Sequence, residues 1–411
     1  MGTHEAERTI EAVVRDSYGR LVSFLAARSR DLAAAEDALG DALGDALEAW
    51  RERGVPDKPD AWLFTAARRR LVDHARRSAV RADAVSSLRV LGDELADVTT
   101  AEIPDERLRL LFVCAHPAIA SDVHTPLMLQ TVLGLDAARI ASAFCVAPAA
   151  MGQRLARAKA KIRLAGIPFE VPSTGELPAR LDAVLEAIYA AYGVGWDDVA
   201  GADPRWRGLS GEAIWLARLV ARLLPAEPEA RGLLALMLHC EARRAARRGS
   251  DGAYVPLSEQ DVARWSRALI DEAERELAAA ATRDAAGRFQ LEAAIQSVHA
   301  HRAVTGRTEW DAIALFYEAL VQHTGALGAR VGRAAALGNA QGPAVGLAAL
   351  DAMAASATAY QPYWAVRAHL LAECGKADAA DDAYARAIEL SEDPDVRAFL
   401  LGRRTARRSS P

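Results

Sequence analysis

The chain is poor in cysteine, in long apolar runs and in clustered histidines. Its four cysteines, Cys114, Cys145, Cys240 and Cys374, are scattered over 411 residues without CxxC spacing. That scatter gives no geometric support to a zinc site or a disulfide scaffold, and it predicts buried free thiols in a reducing cytoplasm. His299 and His301 stand two apart on a helical pattern and point to different sides. His116 before Pro117 reads as a cap or a packed side chain, so no metal is expected. No stretch approaches 18 uncharged apolar residues and no secretory apolar region opens the chain, so neither membrane insertion nor export is expected. A Gly-rich phosphate loop is missing, and Ser, His and carboxylates fall in no catalytic grouping. These gaps exclude a recognisable enzyme and leave no expected cofactor.

Helical pattern is what the sequence has in quantity. Hydrophobic residues make up 51%, Ala is abundant, Gly and Pro cluster at breaks, and strand-like alternation is scarce, which predicts an all-α protein. A net charge of −5 argues against a chain coated in nucleic acid, but it averages over strong local asymmetry. Ile10, Val13, Val14, Tyr18, Leu21, Val22 and Leu25 mark a first amphipathic helix. A second, from Leu32 to Trp50, is preceded by Asp31 and carries Glu36, Asp37, Asp41, Asp45 and Glu48 with no basic residue between. Those charges form either a solvated face or a docking surface for a basic protein. After the turn-rich loop Gly54 to Asp60, a third helix from Ala61 to Arg77 buries Trp62, Leu63, Ala66, Leu71 and Val72 and carries Arg68, Arg69, Arg70, Arg76 and Arg77. Clustered cations of this kind give affinity for a phosphate backbone whatever the global charge. Trp62 and Phe64 read as core.

Periodicity fades between Val80 and Ile103, which reads as a linker, and returns at Pro104. Leu127, Leu129, Val132 and Leu133 mark a helical run that Gly134 ends, and from Asp136 to Arg163 the pattern is that of two short helices about a tight turn. Asp136 is placed to cap the first, and Pro148 suits the opening turn of the second. The second helix turns Met151, Leu155 and Ala158 inward and Gln153, Arg154, Arg157, Lys159, Lys161 and Arg163 outward. This is the form of a helix-turn-helix with a basic recognition helix. The residues alone also leave open a free-standing helix-turn-helix regulator with a sensing domain, or a helical interaction scaffold.

Four segments bring in a family resemblance. They are Ala35 to Leu39 (AEDAL), Ala61 to Asp73 (AWLFTAARRRLVD), Leu108 to Pro117 (LRLLFVCAHP) and Ala165 to Pro172 (AGIPFEVP). In order and spacing the chain resembles an extracytoplasmic-function sigma factor, of the branch with a tetratricopeptide-like carboxy-terminal extension. The resemblance implies a region-two domain over 1–80, a linker over 81–103, a region-four domain over 104–166, a connector over 167–177, a helical regulatory domain over 178–402 and a basic tail over 403–411. It implies that Glu36, Asp37 and Asp41 dock on bacterial core RNA polymerase. It further implies that the loop Arg51 to Asp60 captures a promoter base, that Arg68, Arg69, Arg76 and Arg77 contact promoter DNA, and that Gln153, Arg154, Arg157, Lys159 and Lys161 serve the −35 element. A protein or small molecule regulating the carboxy-terminal domain is also implied. The chain departs from the family at Gly40 and Leu43, where a polar residue and Phe are usual. Gly40 and Gly44 together cost their helix roughly 1 to 2 kcal/mol relative to Ala. Gly193-Val194-Gly195-Trp196 departs from the branch's Asn-Glu-Gly-Tyr.

The carboxy-terminal half continues as helices. Glu212 to Leu224 and Glu229 to Arg248 read as an antiparallel pair, Ala253 to Leu257 as extended, and Asp261 to Ala281 and Leu291 to His301 as further helices. Trp364, Ala368, Leu371, Gly375, Ala380, Tyr384 and Ala387 follow the tetratricopeptide pattern, with Ala368 where two helices approach closely. Gly342 precedes Gly375 by 33 residues and marks a degenerate earlier hairpin.

Overall fold

A computed structural model describes residues 2–79, 105–144, 146–197, 209–281, 286–391 and 393–408. The linker expected over 80–103 and Cys145 lie outside the described residues. Among those residues the protein is almost entirely α-helical, with no strand beyond an isolated antiparallel bridge between Arg248 and Tyr254. The chain divides into two units, Met1–Ala213 and Ile214–Pro411.

The first unit opens with α1 (Gly2–Ser29), α2 (Leu32–Arg53) and α3 (Pro59–Ala79). Arg30 adopts φ 53 and ends α1 with its amide on the Ala26 carbonyl. Asp31 then caps α2, its Oδ1 accepting from the Ala34 amide at 3.1 Å. Leu21, Phe24, Leu25, Leu32, Leu39, Leu63, Phe64 and Leu71 are buried among these helices. Phe24 meets Phe64 edge-on at 5.6 Å, and Trp50 meets Trp62 at the same distance. Trp62 and Phe64 therefore sit in the packing of the bundle, as their helical face predicts.

Four shorter helices follow: α4 (Arg107–Cys114), α5 (Ser121–Thr131), α6 (Ala137–Ala143) and α7 (Pro148–Leu164). Gly134, at φ 69, turns the chain after α5, and Asp136 Oδ1 accepts the Arg139 amide at 2.8 Å to start α6. Pro148 occupies the first turn of α7, and Met151, Leu155, Ala158 and Ile162 are buried. The next helix, α8 (Leu177–Asp197), packs against α4 and α5. Thr125 donates to the Ala187 carbonyl at 3.0 Å and Arg180 to that of Phe112 at 2.5 Å. Helix α8 stands at the start of the expected carboxy-terminal domain, yet it completes the core of the first unit. Cys114 is fully buried beside Thr131, and burial pushes its thiol up to about 12.

After α9 (Leu209–Leu223), the second unit continues with α10 (Pro228–Ala242), α11 (Arg267–Ala280) and α12 (Arg288–Thr305). The helix expected from Asp261 begins only at Arg267. Residues 262–264 form a single 3-10 turn capped by Asp261, and tertiary contacts hold what flanks it: the Ser266 amide donates to the Ala242 carbonyl at 2.8 Å, Trp265 is buried, and the Arg302 guanidinium donates to the carbonyls of Leu257, Ser258 and Gln260 at 2.9 to 3.0 Å. Helices α13 (Trp310–Thr324), α14 (Leu327–Gln341), α15 (Pro343–Asp351), α16 (Gln361–Glu373), α17 (Ala377–Glu389) and α18 (Pro394–Arg408) stack in sequence, each against its neighbour. Ala368 has no exposed surface, as close approach of α16 and α17 requires. Residues 403–408 of the segment expected as a basic tail form the end of α18, where Arg404 is held by both oxygens of Asp381 at 2.7 Å, and the rest of it lies outside the described residues.

Two imidazoles, His239 buried and His299 half-buried, make the second unit sensitive to acid. Burial, and then the Arg243 charge, lower His239 from 6.5 to about 3. Burial with Arg243 and Arg302 lowers His299 to about 4. Both rings stay neutral in the folded chain, while the unfolded chain takes up protons below about pH 6.5. Stability is thus fullest above that value and falls as the pH drops toward the two folded values. His239→Gln is expected to flatten this fall by about 1.4 kcal/mol per pH unit between pH 6 and 4. Native-state hydrogen exchange of the α10 amides reads the effect, and an unchanged slope would count against it.

Candidate protein-docking and nucleic-acid interface

The acidic residues of α2 diverge once the helix is packed. Asp37 is exposed. Asp41 accepts from Arg70 of α3 at 3.1 Å, and Asp45 accepts from the same guanidinium at 3.0 and 2.6 Å. Arg70 therefore bridges two acids one turn apart, which raises its pKa further above the ordinary arginine value, chiefly through the Asp45 hydrogen bond. Glu36 points the other way, into an ion pair with Lys159 of α7, and the two side chains are only 9% and 13% exposed. Burial raises the Glu36 carboxyl above the usual range against the opposing pull of Lys159, with Asp37 adding a smaller upward push. Next to this pair, burial pushes the Tyr18 phenol well above its normal value.

Helix α7 presents two polar stripes, because residues four apart share a face. Gly152, Leu155, Ala156, Lys159, Ala160 and Arg163 line an open groove of about 940 Å³ shared with α2. Arg163 donates to Asp31 at 3.2 Å and closes the stripe one turn beyond Lys159. The other stripe brings Arg154, Arg157 and Lys161 together beside the Ile119–Val123 turn, around a cleft of about 310 Å³. Arg154 lies 3.8 Å from Asp122, Arg157 donates to the Gln153 carbonyl at 3.3 Å, and Gln153 and Lys161 are exposed.

Of the residues expected on an outward recognition face, Gln153, Arg154, Arg157 and Lys161 occupy one continuous surface. Lys159 departs from that expectation and faces inward, because helical spacing alone does not reveal that an acidic helix packs on one side of α7. On α3, Arg69 is exposed and Arg68 is half-buried; the side chains of Arg76 and Arg77 lie outside the described residues. Arg51, in the loop expected to capture a base, pairs with Glu7 at 2.6 Å, and Asp60 pairs with Arg20 at 3.3 Å. Sequence reasoning missed Asp31, Arg70 and Arg163 as pairing residues. The signal was available for Asp41 and Asp45, whose four-residue spacing faces the cations of the next helix.

Comparison with known proteins adds relatives to this geometry. The chain is 38% identical over 378 residues to an uncharacterized protein of Rhizobium meliloti (strain 1021), covering 90% of this chain and 89% of that protein. The chain belongs to the same family as that protein. Sigma-70 region 2 matches residues 13–81, which take in most of α1 and all of α2 and α3, with the acidic face of α2 and the basic face of α3. A family of unknown function (DUF6596) matches residues 180–281, from α8 through α11. A sigma-70 region 2 domain followed by a downstream domain of unknown function places the chain with the sigma-70 superfamily in general. No solved structure matches it. The sigma-70 region 2 family is non-catalytic, and among the described residues no group of three or more His, Cys, Asp or Glu could hold a metal ion. No helix among them is long and apolar enough to cross a membrane.

Proposed function

We propose that the protein is a cytoplasmic sigma factor of the extracytoplasmic-function kind, directing promoter-specific initiation by bacterial core RNA polymerase. The observation that carries the reading is the coincidence of the sigma-70 region 2 match with a three-helix bundle that bears opposite charge on adjacent helices. In this reading α2 docks on polymerase through Glu36, Asp37 and Asp41. Helix α3 approaches promoter DNA through Arg68, Arg69, Arg76 and Arg77. Helices α6 and α7 act as a helix-turn-helix for the −35 element, with Gln153 and Arg154 at base edges and Arg157 and Lys161 nearer phosphates. Lys159 joins them only when α7 leaves α2. The stacked hairpins of α13 to α17 form a tetratricopeptide-like extension that controls activity by packing, with a protein or small molecule as its regulator.

Two substitutions test the assignment. Asp37→Lys leaves the core of the bundle untouched and is expected to weaken association with core polymerase, most strongly at low salt where surface charge is least screened. Arg154→Ala is expected to lose about 1 to 3 kcal/mol of base discrimination at the −35 position it reads, measured on a promoter library with polymerase present. Equal polymerase binding over a salt series, together with an unchanged base profile, would reject the reading. Tight operator binding without polymerase would favour a free-standing regulator instead.

A further inference from the structure

We propose that the groove lined by Gly40 of α2 and Gly152 of α7 is a binding site for a linear aliphatic polyamine, held by Asp37 and by the negative potential of Glu36 and Gln130. The site goes beyond the sigma-factor reading and does not depend on it. Both glycines line the groove, both lie inside regular helix, and neither has a positive φ. A Cβ added to either would meet nothing within 4 Å. Neither the backbone nor a close contact therefore asks for glycine at these positions, although glycine weakens a helix. What the two residues supply is room. Gly40 is also a point where the chain departs from the polar side chain usual in the family it resembles, so the room is not explained by the docking role of α2.

The lining of that room is anionic in excess, with Asp31, Glu36, Asp37, Asp41 and Asp136 set against Lys159 and Arg163. Asp31 caps α2 and pairs with Arg163, Asp41 accepts from Arg70, and Asp136 caps α6. Asp37 stands exposed at the groove. Glu36, 9% exposed, pairs with Lys159, yet among the described residues its carboxylate accepts no hydrogen bond, and the buried Gln130 Oε1 accepts none either. Buried acceptors without donors leave a negative potential that draws a cation to the space beside them. Lys159 shows the kind of cation that fits, because a primary ammonium on a flexible alkyl stem is already seated there against Glu36. A polyamine repeats that chemistry, with methylenes for the apolar lining of Leu135 and Leu155 between its ammonium groups. The groove's volume of about 940 Å³ is that of a small-molecule site. A metal ion does not suit it, since among the described residues no three His, Cys, Asp or Glu form a ligand set.

Calorimetric titration of the full-length chain with spermidine, without DNA and at about 0.15 M salt to screen diffuse surface attraction, tests the site. One saturable binding event is expected. Asp37→Asn is expected to weaken it about tenfold, through loss of a charge-assisted hydrogen bond. Glu52→Gln removes an exposed acid of the same helix outside the groove and is expected to leave the affinity unchanged. Gly40→Gln/Gly152→Gln fills the space and is expected to remove binding without lowering the thermal midpoint, because Gln is the better helix former. Should that pair lose helix by circular dichroism, Gly152→Gln alone takes its place. Magnesium at equal concentration is expected not to displace spermidine. Absence of saturable binding, full affinity in Asp37→Asn or in the folded filled variant, an equal loss in Glu52→Gln, or displacement by magnesium overturns the site.

Discussion

Gly19→Ala is expected to loosen the first unit by about 1 to 3 kcal/mol, the cost of overpacking a close contact. A Cβ on Gly19 would stand 2.1 Å from the Val132 carbonyl oxygen and 3.0 Å from its carbon. These are backbone atoms, so no side-chain rotation relieves the clash. The neighbouring Tyr18 ring already lies against Gly134, where φ is 69 and a Cβ would meet the ring at 3.0 Å. Helix α1 and the turn leading into α6 must therefore separate. The expected readout is a lower denaturant midpoint with helix content retained by circular dichroism. An unchanged midpoint would show that the approach at Gly19 is not as tight as described.

Glu229→Ala is expected to cost the second unit about 2 to 4 kcal/mol, from the loss of a cap and the stranding of inward amides. Glu229, in the first turn of α10, acts across 60 residues on another helix. Its Oε2 accepts from the Phe289 amide at 2.8 Å, and its Oε1 accepts from the Gln290 amide and side-chain nitrogen, both at 3.1 Å. It thus supplies the N-terminal cap that α12 lacks locally, where Gly287 offers no side chain. Phe289 and Gln290 are buried, so water does not replace the carboxylate. Glu229→Gln keeps one acceptor oxygen and should retain part of the stability. A thermal midpoint unchanged in Glu229→Ala would contradict the capping role.

These contacts show where the sequence was legible. The all-helical character was readable because apolar residues recur at helical spacing and breaks carry Gly or Pro. Asp136 and Pro148 start α6 and α7 where their chemistry predicts, and Met151, Leu155 and Ala158 are inward as the period requires. Chemistry acting at a distance was not legible. Nothing near Lys159 reveals that it will face Glu36 across the fold, and nothing near Gly287 reveals that Glu229 caps α12. The same holds for Asp261 to Ser266, expected as helix, where the Ser266 amide is taken by the distant Ala242 carbonyl. Intrinsic helical preference is weak enough per residue for tertiary contacts to override it.

We propose that this chain gives polymerase its promoter. The direct measurement is transcription from a promoter library by bacterial core RNA polymerase, with and without the full-length protein. Protein-dependent transcripts are expected from a sequence-defined subset of promoters, with initiation weakened by Asp37→Lys and promoter choice altered by Arg154→Ala. Transcripts whose number and promoter distribution are the same with and without the protein would contradict it.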